Sequence, residues 1–275
     1  MKIAISGKGG VGKTTLAALL AKAYVRDGRK VLAIDADPDA NLGQTLGFPD
    51  SAQVTPIVEM RELIEERTGA KPGTVGQFFK LNPKVDDIPD KYFVEDKGIR
   101  LMLMGDVRLG GSGCTCPENA FLKTLLLHLL LQREEVVILD MEAGIEHLGR
   151  GTAQGVDALI IVVEPRKRSI DTAYKIKKLA DDLKIRNLFL VGNKIRHKED
   201  EEFIKTQAIP GFLNLSGTGL IGGGGYHLPI IGFIPYAREM EEIDREENFS
   251  LENLGIMKEV EGIKENLEKK VRCGG

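Results

Sequence analysis

Cysteine is scarce in this chain of 275 residues: Cys114, Cys116 and Cys273 are the whole supply. Structural disulfides are rare in reducing compartments, and two cysteines one residue apart are poorly spaced to bridge each other. As metal ligands, Cys114 and Cys116 are half of a tetrahedral set, because zinc and similar ions usually take four. The run Gly110-Gly111-Ser112-Gly113-Cys114-Thr115-Cys116-Pro117 therefore leaves the other half of such a site to be found elsewhere. Glycines before the pair and proline after it argue against two buried core thiols. Cys273, close to the last residue, reads as a thiol outside the site.

A surplus of positive charge is also lacking. Net charge is -3 and the pI about 5.9, so no global basic field recruits nucleic acid or anionic lipid, and neither is expected as a partner. Long apolar runs are missing too. The longest, around 125–131, contains His128 and falls far short of the roughly 20 residues that span a bilayer. The first residues, Met1-Lys2-Ile3-Ala4-Ile5-Ser6, begin directly as a strand and do not resemble a signal peptide. The expected location is the cytoplasm, where thiols stay reduced and available to metals.

What is present is an alternation. Short, almost continuously apolar runs at 2–6, 30–34, 99–104, 136–140, 158–163, 187–191 and 230–234 suit parallel strands buried on both faces. Amphipathic stretches at 14–26, 57–68, 117–132, 170–183 and about 250–271 suit helices between and after them. The expected fold class is α/β, a doubly wound, mostly parallel sheet flanked by helices, with 1–275 as a single domain. No repeat or linker divides it. Residues 69–98, rich in Pro, Gly and Asp, read as a surface excursion. The glycine-rich run 216–225 has no lysine and opens no helix, so it reads as a flexible loop and not a second anion cradle. Met257, Val260, Ile263, Leu267 and Val271 form a stripe at helical spacing, but the opposite face mixes lysine with glutamate. That mixture suits a packed surface helix better than a lipid anchor.

Gly7-Lys8-Gly9-Gly10-Val11-Gly12-Lys13-Thr14 follows the first strand and opens the first helix. It fits two templates. Gly7, Gly9 and Gly12 match the dinucleotide fingerprint G-x-G-x-x-G, and Asp35 lies near where an acidic residue would hold a ribose. The same residues satisfy the P-loop, G-x-x-x-x-G-K-S/T. Lys13 and Thr14 decide for the P-loop, because only that motif needs an ammonium on the β- and γ-phosphates and a hydroxyl on Mg²⁺. The glycines let backbone N–H groups face the phosphates, and the helix N-terminus adds its dipole.

Lys8 is not required by an ordinary P-loop. The run Lys8-Gly9-Gly10-Val11-Gly12-Lys13-Thr14-Thr15 resembles the deviant P-loop of the MinD-like ATPases. That class includes the nitrogenase iron protein, ParA, MinD and the tail-anchored protein targeting ATPase. The resemblance implies that Lys8 reaches across a dimer interface to the partner's nucleotide, as an arginine finger does in trans. Asp35-Ala36-Asp37-Pro38-Asp39-Ala40-Asn41 resembles the class's switch I, which gives Asp37 the attacking water and a place near Mg²⁺; Asp39 and Asn41 are weaker candidates. Val136-Val137-Ile138-Leu139-Asp140 resembles a Walker B strand, with Asp140 holding the Mg²⁺ shell through water, and 141–147 would be switch II. Asn193-Lys194 resembles the position where the class reads adenine, and Ile234-Pro235-Tyr236 would line the base pocket.

The family narrows on two further runs. Gly113-Cys114-Thr115-Cys116-Pro117-Glu118-Asn119 and Asp140-Met141-Glu142-Ala143-Gly144-Ile145-Glu146-His147-Leu148-Gly149-Arg150-Gly151, with the deviant P-loop, resemble the CooC family. These are nickel-insertion accessory ATPases of carbon monoxide dehydrogenase. The resemblance implies ATP/ADP and Mg²⁺ as cofactors, an ATP-dependent homodimer, and apo carbon monoxide dehydrogenase as the client. It also implies that Cys114 and Cys116 of both chains meet as a four-thiolate site for Ni²⁺ or Zn²⁺. Four soft ligands suit zinc and can hold nickel. The N-terminus of the helix at Pro117 would favour thiolate. His147 reads as an ordinary packed or solvated histidine.

Two other readings stand beside this one. An iron–sulfur reductase like the nitrogenase iron protein also bridges a dimer with cysteines, but its two ligands per chain come from separate loops. A MinD- or ParA-like positioning switch needs a membrane or DNA surface, which the charge balance does not favour.

Overall fold

A computed structural model describes residues 1–49, 54–73, 77–105, 116–145, 150–208, 228–238 and 255–273. Its centre is β1 (Lys2–Gly7), in which every residue is buried. Such a strand must be covered on both faces, and the sheet is covered in that way. The strands are β1, β2 (Val31–Ala36), β3 (Val94–Asp96), β4 (Ile99–Leu103), β5 (Val136–Met141), β6 (Ala158–Val163), β7 (Leu188–Ile195) and β8 (Ile230–Pro235). They lie in the order β3-β4-β2-β5-β1-β6-β7-β8. All pairings are parallel except β3 with β4. The chain leaves β1 toward β2 on one side and later fills β6, β7 and β8 on the other. That reversal is where doubly wound sheets bind ligands, outside the carboxyl ends of the strands.

Side-chain alternation sorts each strand between two cores. Ile3, Ile5, Ala33 and Ile138 face α1 (Lys13–Arg26), α2 (Leu42–Leu46) and α9 (Met257–Cys273). Ala4, Leu32, Ile34, Val137 and Leu139 share a core with residues of α3 (Arg61–Thr68), α5 (Pro117–Gln132), α6 (Arg150–Ala153) and α7 (Lys167–Asp182). The apolar stripe of α9 is a packing face: Val260 and Leu267 are fully buried against α1 and β8. Gly232 lets this helix come close, since a Cβ there would lie 2.4 Å from Ile263 Cγ1. The Asn266 side-chain amide donates to the Ile231 carbonyl at 2.9 Å and so satisfies part of the β8 edge. No described helix is long and apolar enough to cross a membrane.

Several expectations need correction. The stretch 57–68 is not one helix: residues 57–59 make a single 3-10 turn, Met60 leaves helical geometry at ψ 68, and α3 begins at Arg61. The stretch 69–98 is not simply a surface excursion. Among its described residues it contains α4 (Ile88–Lys91) and β3, and it buries Val85 and Ile88 in the core. An unforeseen helix, α8 (Lys198–Ala208), follows β7. Its signal was local: Glu199, Asp200 and Glu201 crowd its first turn, and the Asp200 carboxylate accepts the Arg196 and His197 N–H groups. Residues 216–225 lie outside the described residues.

Candidate nucleotide-binding site

The loop between β1 and α1 is shaped by what its glycines avoid. A Cβ on Gly7 would lie 2.5 Å from the Val162 carbonyl oxygen, so glycine is what lets β1 run this close to β6 at its end. Gly12 has φ 94, and a Cβ there would meet the Asn193 amide nitrogen at 2.3 Å. Between them the Val11 N–H donates to the Lys8 carbonyl at 3.3 Å, closing a turn. Val11 itself is buried and anchors the loop. Leu16 N–H then donates to the Gly12 carbonyl at 3.0 Å, which starts α1. Lys8 is half-buried, whereas Gly9 and Gly10 are exposed.

This loop forms one wall of a cavity of about 690 Å³. Gly9, Gly10, Gly12, Lys13, Thr14 and Thr15 line the wall; Asp37, Asp39 and Asn41 face it from the end of β2. Asn193, Lys194, Pro235, Tyr236 and Ala237 close the far end. The sequence thus named most of the lining, and the structure brings it together from four strand ends. Gln44 and Thr45 of α2 and Ala237 also line the cavity and were not anticipated, whereas Ile234 does not line it but is buried in the core beside α9. The Arg196 guanidinium lies 3.6 Å from the Tyr236 ring centroid, a cation–π contact that supports this end.

Two carboxylates stand side by side behind the cavity, because Asp35 and Asp140 are register partners on β2 and β5. Asp140 is 1% exposed, and neither of its oxygens has a well-formed hydrogen bond. Burial pushes its pKa up to about 7; the Thr14 hydroxyl opposes this, the charge of Asp35 adds to it, and Lys13 works against it. Burial likewise raises Asp35 to about 6, opposed by N–H groups of Leu42 and Asp37 on its two oxygens at 2.9 and 3.1 Å. Asp35 is therefore a buried brace for the loop after β2 and not an open acid for a ribose, which removes the dinucleotide reading. Asp37 accepts from the Asp39 N–H at 3.1 Å, an Asx turn that holds its carboxylate at the cavity. A buried carboxylate with no well-formed hydrogen bond, beside the Thr14 hydroxyl and close to Asp37, fits a hard divalent cation with its water shell.

Ser6 was not foreseen. Its hydroxyl donates to the Gly144 carbonyl at 2.6 Å and accepts the Gly144 N–H at 3.3 Å, which pins the segment after β5 to β1. That segment is the expected switch II; His147 lies outside the described residues. Asn193 and Lys194 were expected just after a strand but lie inside β7. The Asn193 amide donates to the Val11 carbonyl at 2.8 Å and its oxygen accepts the Lys194 N–H at 2.8 Å.

Cys116 is half-buried and is the N-cap of α5, with Pro117 at the first helical position. The Glu118 carboxylate in the first turn accepts the Gly73 N–H at 2.6 Å, tying the segment after α3 to this helix end. Because α5 returns to the start of β5, its first turn stands at the sheet edge that carries the cavity. Cys114 lies outside the described residues, and among those described no group of three or more His, Cys, Asp or Glu side chains is arranged to hold a metal.

Comparison with known proteins agrees with this geometry. Residues 2–251 match the model of the CobQ/CobB/MinD/ParA nucleotide binding domain. The chain is 51% identical over 210 residues to the carbon monoxide dehydrogenase accessory protein CooC of Rhodospirillum rubrum, covering 76% of this chain and 80% of that one. It is 47% identical over 240 residues to an uncharacterized ATP-binding protein of Methanocaldococcus jannaschii, covering 87% of each. The septum site-determining protein MinD of Pyrococcus horikoshii, solved with Mg-ADP, shares the fold with a TM-score of 0.62 at 17% identity, covering 100% of this chain and 98% of that one. With its P-loop cavity and doubly wound sheet, the chain belongs to the CobQ/CobB/MinD/ParA nucleotide-binding family and is a CooC-like P-loop ATPase.

Proposed function

We propose that this ATPase is a maturation factor that carries nickel to carbon monoxide dehydrogenase, with its metal site formed between two copies of the chain in the ATP-bound dimer. The observation that carries the reading is Cys116 at the N-terminus of α5, on the sheet edge that also holds the P-loop. Similarity to CooC across most of the chain supports the same client. In this reading Gly9, Gly10 and Gly12 offer N–H groups to the phosphates of ATP, and Lys13 neutralises them. Thr14, Asp37 and Asp140 would hold Mg²⁺, which supplies charge neutralisation at the transferring phosphate. Asp37 orients the attacking water, and Lys8 enters the partner's site. Asn193 keeps one amide N–H and one oxygen lone pair for the adenine edge, with Pro235 beside the base.

Cys114 and Cys116 of each chain then supply four thiolates for the cargo ion. The N-terminal dipole of α5 favours thiolate at Cys116. Loss of the γ-phosphate would release the segment after β5 and loosen the dimer, freeing the ion. The test is metal analysis of the protein loaded with Ni²⁺, with and without Mg-ATP, under anaerobic conditions. We expect a single ion shared by each ATP-bound dimer, and loss of that ion in the Cys114→Ser, Cys116→Ser variant. Full metal retention by the variant would overturn the site. A brown, iron-containing protein would instead support an iron–sulfur reductase.

A further inference from the structure

β7 carries an irregularity at the point where it meets the P-loop. Its pairing with β8 runs from Gly192↔Phe233 to Ile195↔Pro235, so β7 advances three residues while β8 advances two. The extra residue makes a bulge, a device that re-aims side chains beside active sites. Lys194 in this bulge has φ 59. The other described non-glycine residues with positive φ, Lys97 and Lys184, stand in turns; Lys194 alone of these sits inside a strand. In a regular strand, neighbouring side chains point to opposite faces. Here both Asn193 and Lys194 reach the P-loop.

Their contacts fall on consecutive peptide groups. The Lys194 ammonium donates to the Gly10 carbonyl at 2.7 Å, and the Asn193 amide donates to the Val11 carbonyl at 2.8 Å. A trans peptide is planar, and its C=O and N–H point in opposite directions. Holding the Val11 carbonyl toward β7 therefore turns the Gly12 N–H away from β7, toward the phosphate cradle. Holding the Gly10 carbonyl fixes the Val11 N–H in the same way, and that N–H is the donor that closes the turn onto the Lys8 carbonyl. Two adjacent side chains thus govern two different functions of the loop: Asn193 the cradle, Lys194 the turn that presents Lys8.

We propose that Lys194 is a positioning residue for ATP hydrolysis, which sets the direction of Lys8 by holding the Gly10 carbonyl. A backbone outlier inside a strand has a reason to persist if its side chain is needed where that conformation puts it. Lys194 matters in this way only if Lys8 acts in trans, as proposed above, so the test measures both residues.

The decisive substitution is Lys194→Gly. Glycine accepts φ 59 without steric cost, so the bulge survives while the ammonium is lost together with its aliphatic stem. We expect an unchanged Tm, a nucleotide Kd within about threefold of wild type, and kcat lower by about 10- to 100-fold. Lys194→Arg, which restores a donor of similar reach, should recover most of the turnover. Lys8→Ala should lose turnover to a similar degree, and the double variant should lose no more than Lys8→Ala, because residues that act through one another are not additive. Wild-type turnover in Lys194→Gly overturns the proposal. An affinity loss as large as the loss in kcat overturns it too, since Lys194 would then serve the cradle. Additive losses in the double variant overturn the link to Lys8. Full turnover in Lys8→Ala, by contrast, defeats the in-trans reading itself.

Discussion

A methyl group at position 12 would have to occupy the space of the Asn193 amide, 2.3 Å away, on a backbone with φ 94. Gly12→Ala should therefore displace Asn193 from the Val11 carbonyl and strain the loop, at a cost of about 1–2 kcal/mol. Calorimetry should show a Tm lower by a few degrees and weaker ADP binding. An unchanged Tm with unchanged affinity would refute the packing described here. The glycines of this loop were legible because the P-loop is a local pattern, complete within eight residues. What they pack against was not legible. Asn193 is separated from Val11 by 182 residues, and no spacing rule in the chain links them. Lys194 shows the same limit more sharply: its φ and its contact with Gly10 both follow from a bulge that exists only once β7 and β8 pair. Ser6 reads as one more small residue at the end of a strand until Gly144 is brought onto it.

Strands were the most legible elements, since burial on both faces leaves an almost unbroken apolar run. β3 escaped notice because it is three residues long and only partly buried at the sheet edge. α8 escaped because its sequence is mostly charged and buries little more than Ile204 and Ala208. The stretch after α3 is held by ion pairs as much as by apolar contact, which is why its composition suggested a loop. The Arg67 guanidinium makes two hydrogen bonds of 2.8 Å to the Asp87 carboxylate, and Lys91 adds a third of 2.8 Å. The Arg67 contact, and then Lys91, hold the Asp87 carboxyl well below the usual carboxylate range. A depressed acid contributes stability that is present above its unfolded pKa of about 3.9 and is lost as pH falls toward its folded value. Its side chain is 26% exposed, so solvent screening limits the effect. Asp87→Asn should cost about 1 kcal/mol at pH 7. In urea unfolding the gap between wild type and variant should shrink once pH drops below about 4. A gap of constant size from pH 7 to pH 3 would mean that the carboxylate charge is not what ties α3 to α4.

At the scale of the whole molecule, the sheet collects at one edge what the sequence scatters: the P-loop after β1, Asp37 after β2, Asp140 at the end of β5 and Cys116 at the start of α5. That gathering follows from parallel topology, since every strand that points the same way delivers its following loop to the same side. Alternating strands and helices were enough to foresee it. What one chain's sequence holds only by resemblance is the assembly. In the proposed four-thiolate site a protomer would supply only two thiols, Cys114 and Cys116, and Lys8 has no triphosphate of its own to serve if it acts in trans. Both shortfalls would be met by one two-fold contact across this edge. The expected outcome is a mass of about twice 30.2 kDa by light scattering in Mg-ATP when hydrolysis is suppressed, for example with Asp37→Ala, and 30.2 kDa in ADP. Lys8→Ala should weaken that dimer, because it removes a charge that the partner's phosphates attract. Cys114→Ser, Cys116→Ser should leave dimerisation by ATP intact while abolishing the shared ion, which separates the nucleotide's part in assembly from the metal's. If the mass stays at 30.2 kDa in ATP at concentrations well above the Kd for nucleotide, the proposed metal site between two copies of the chain is overturned, because one chain offers only Cys114 and Cys116 to it.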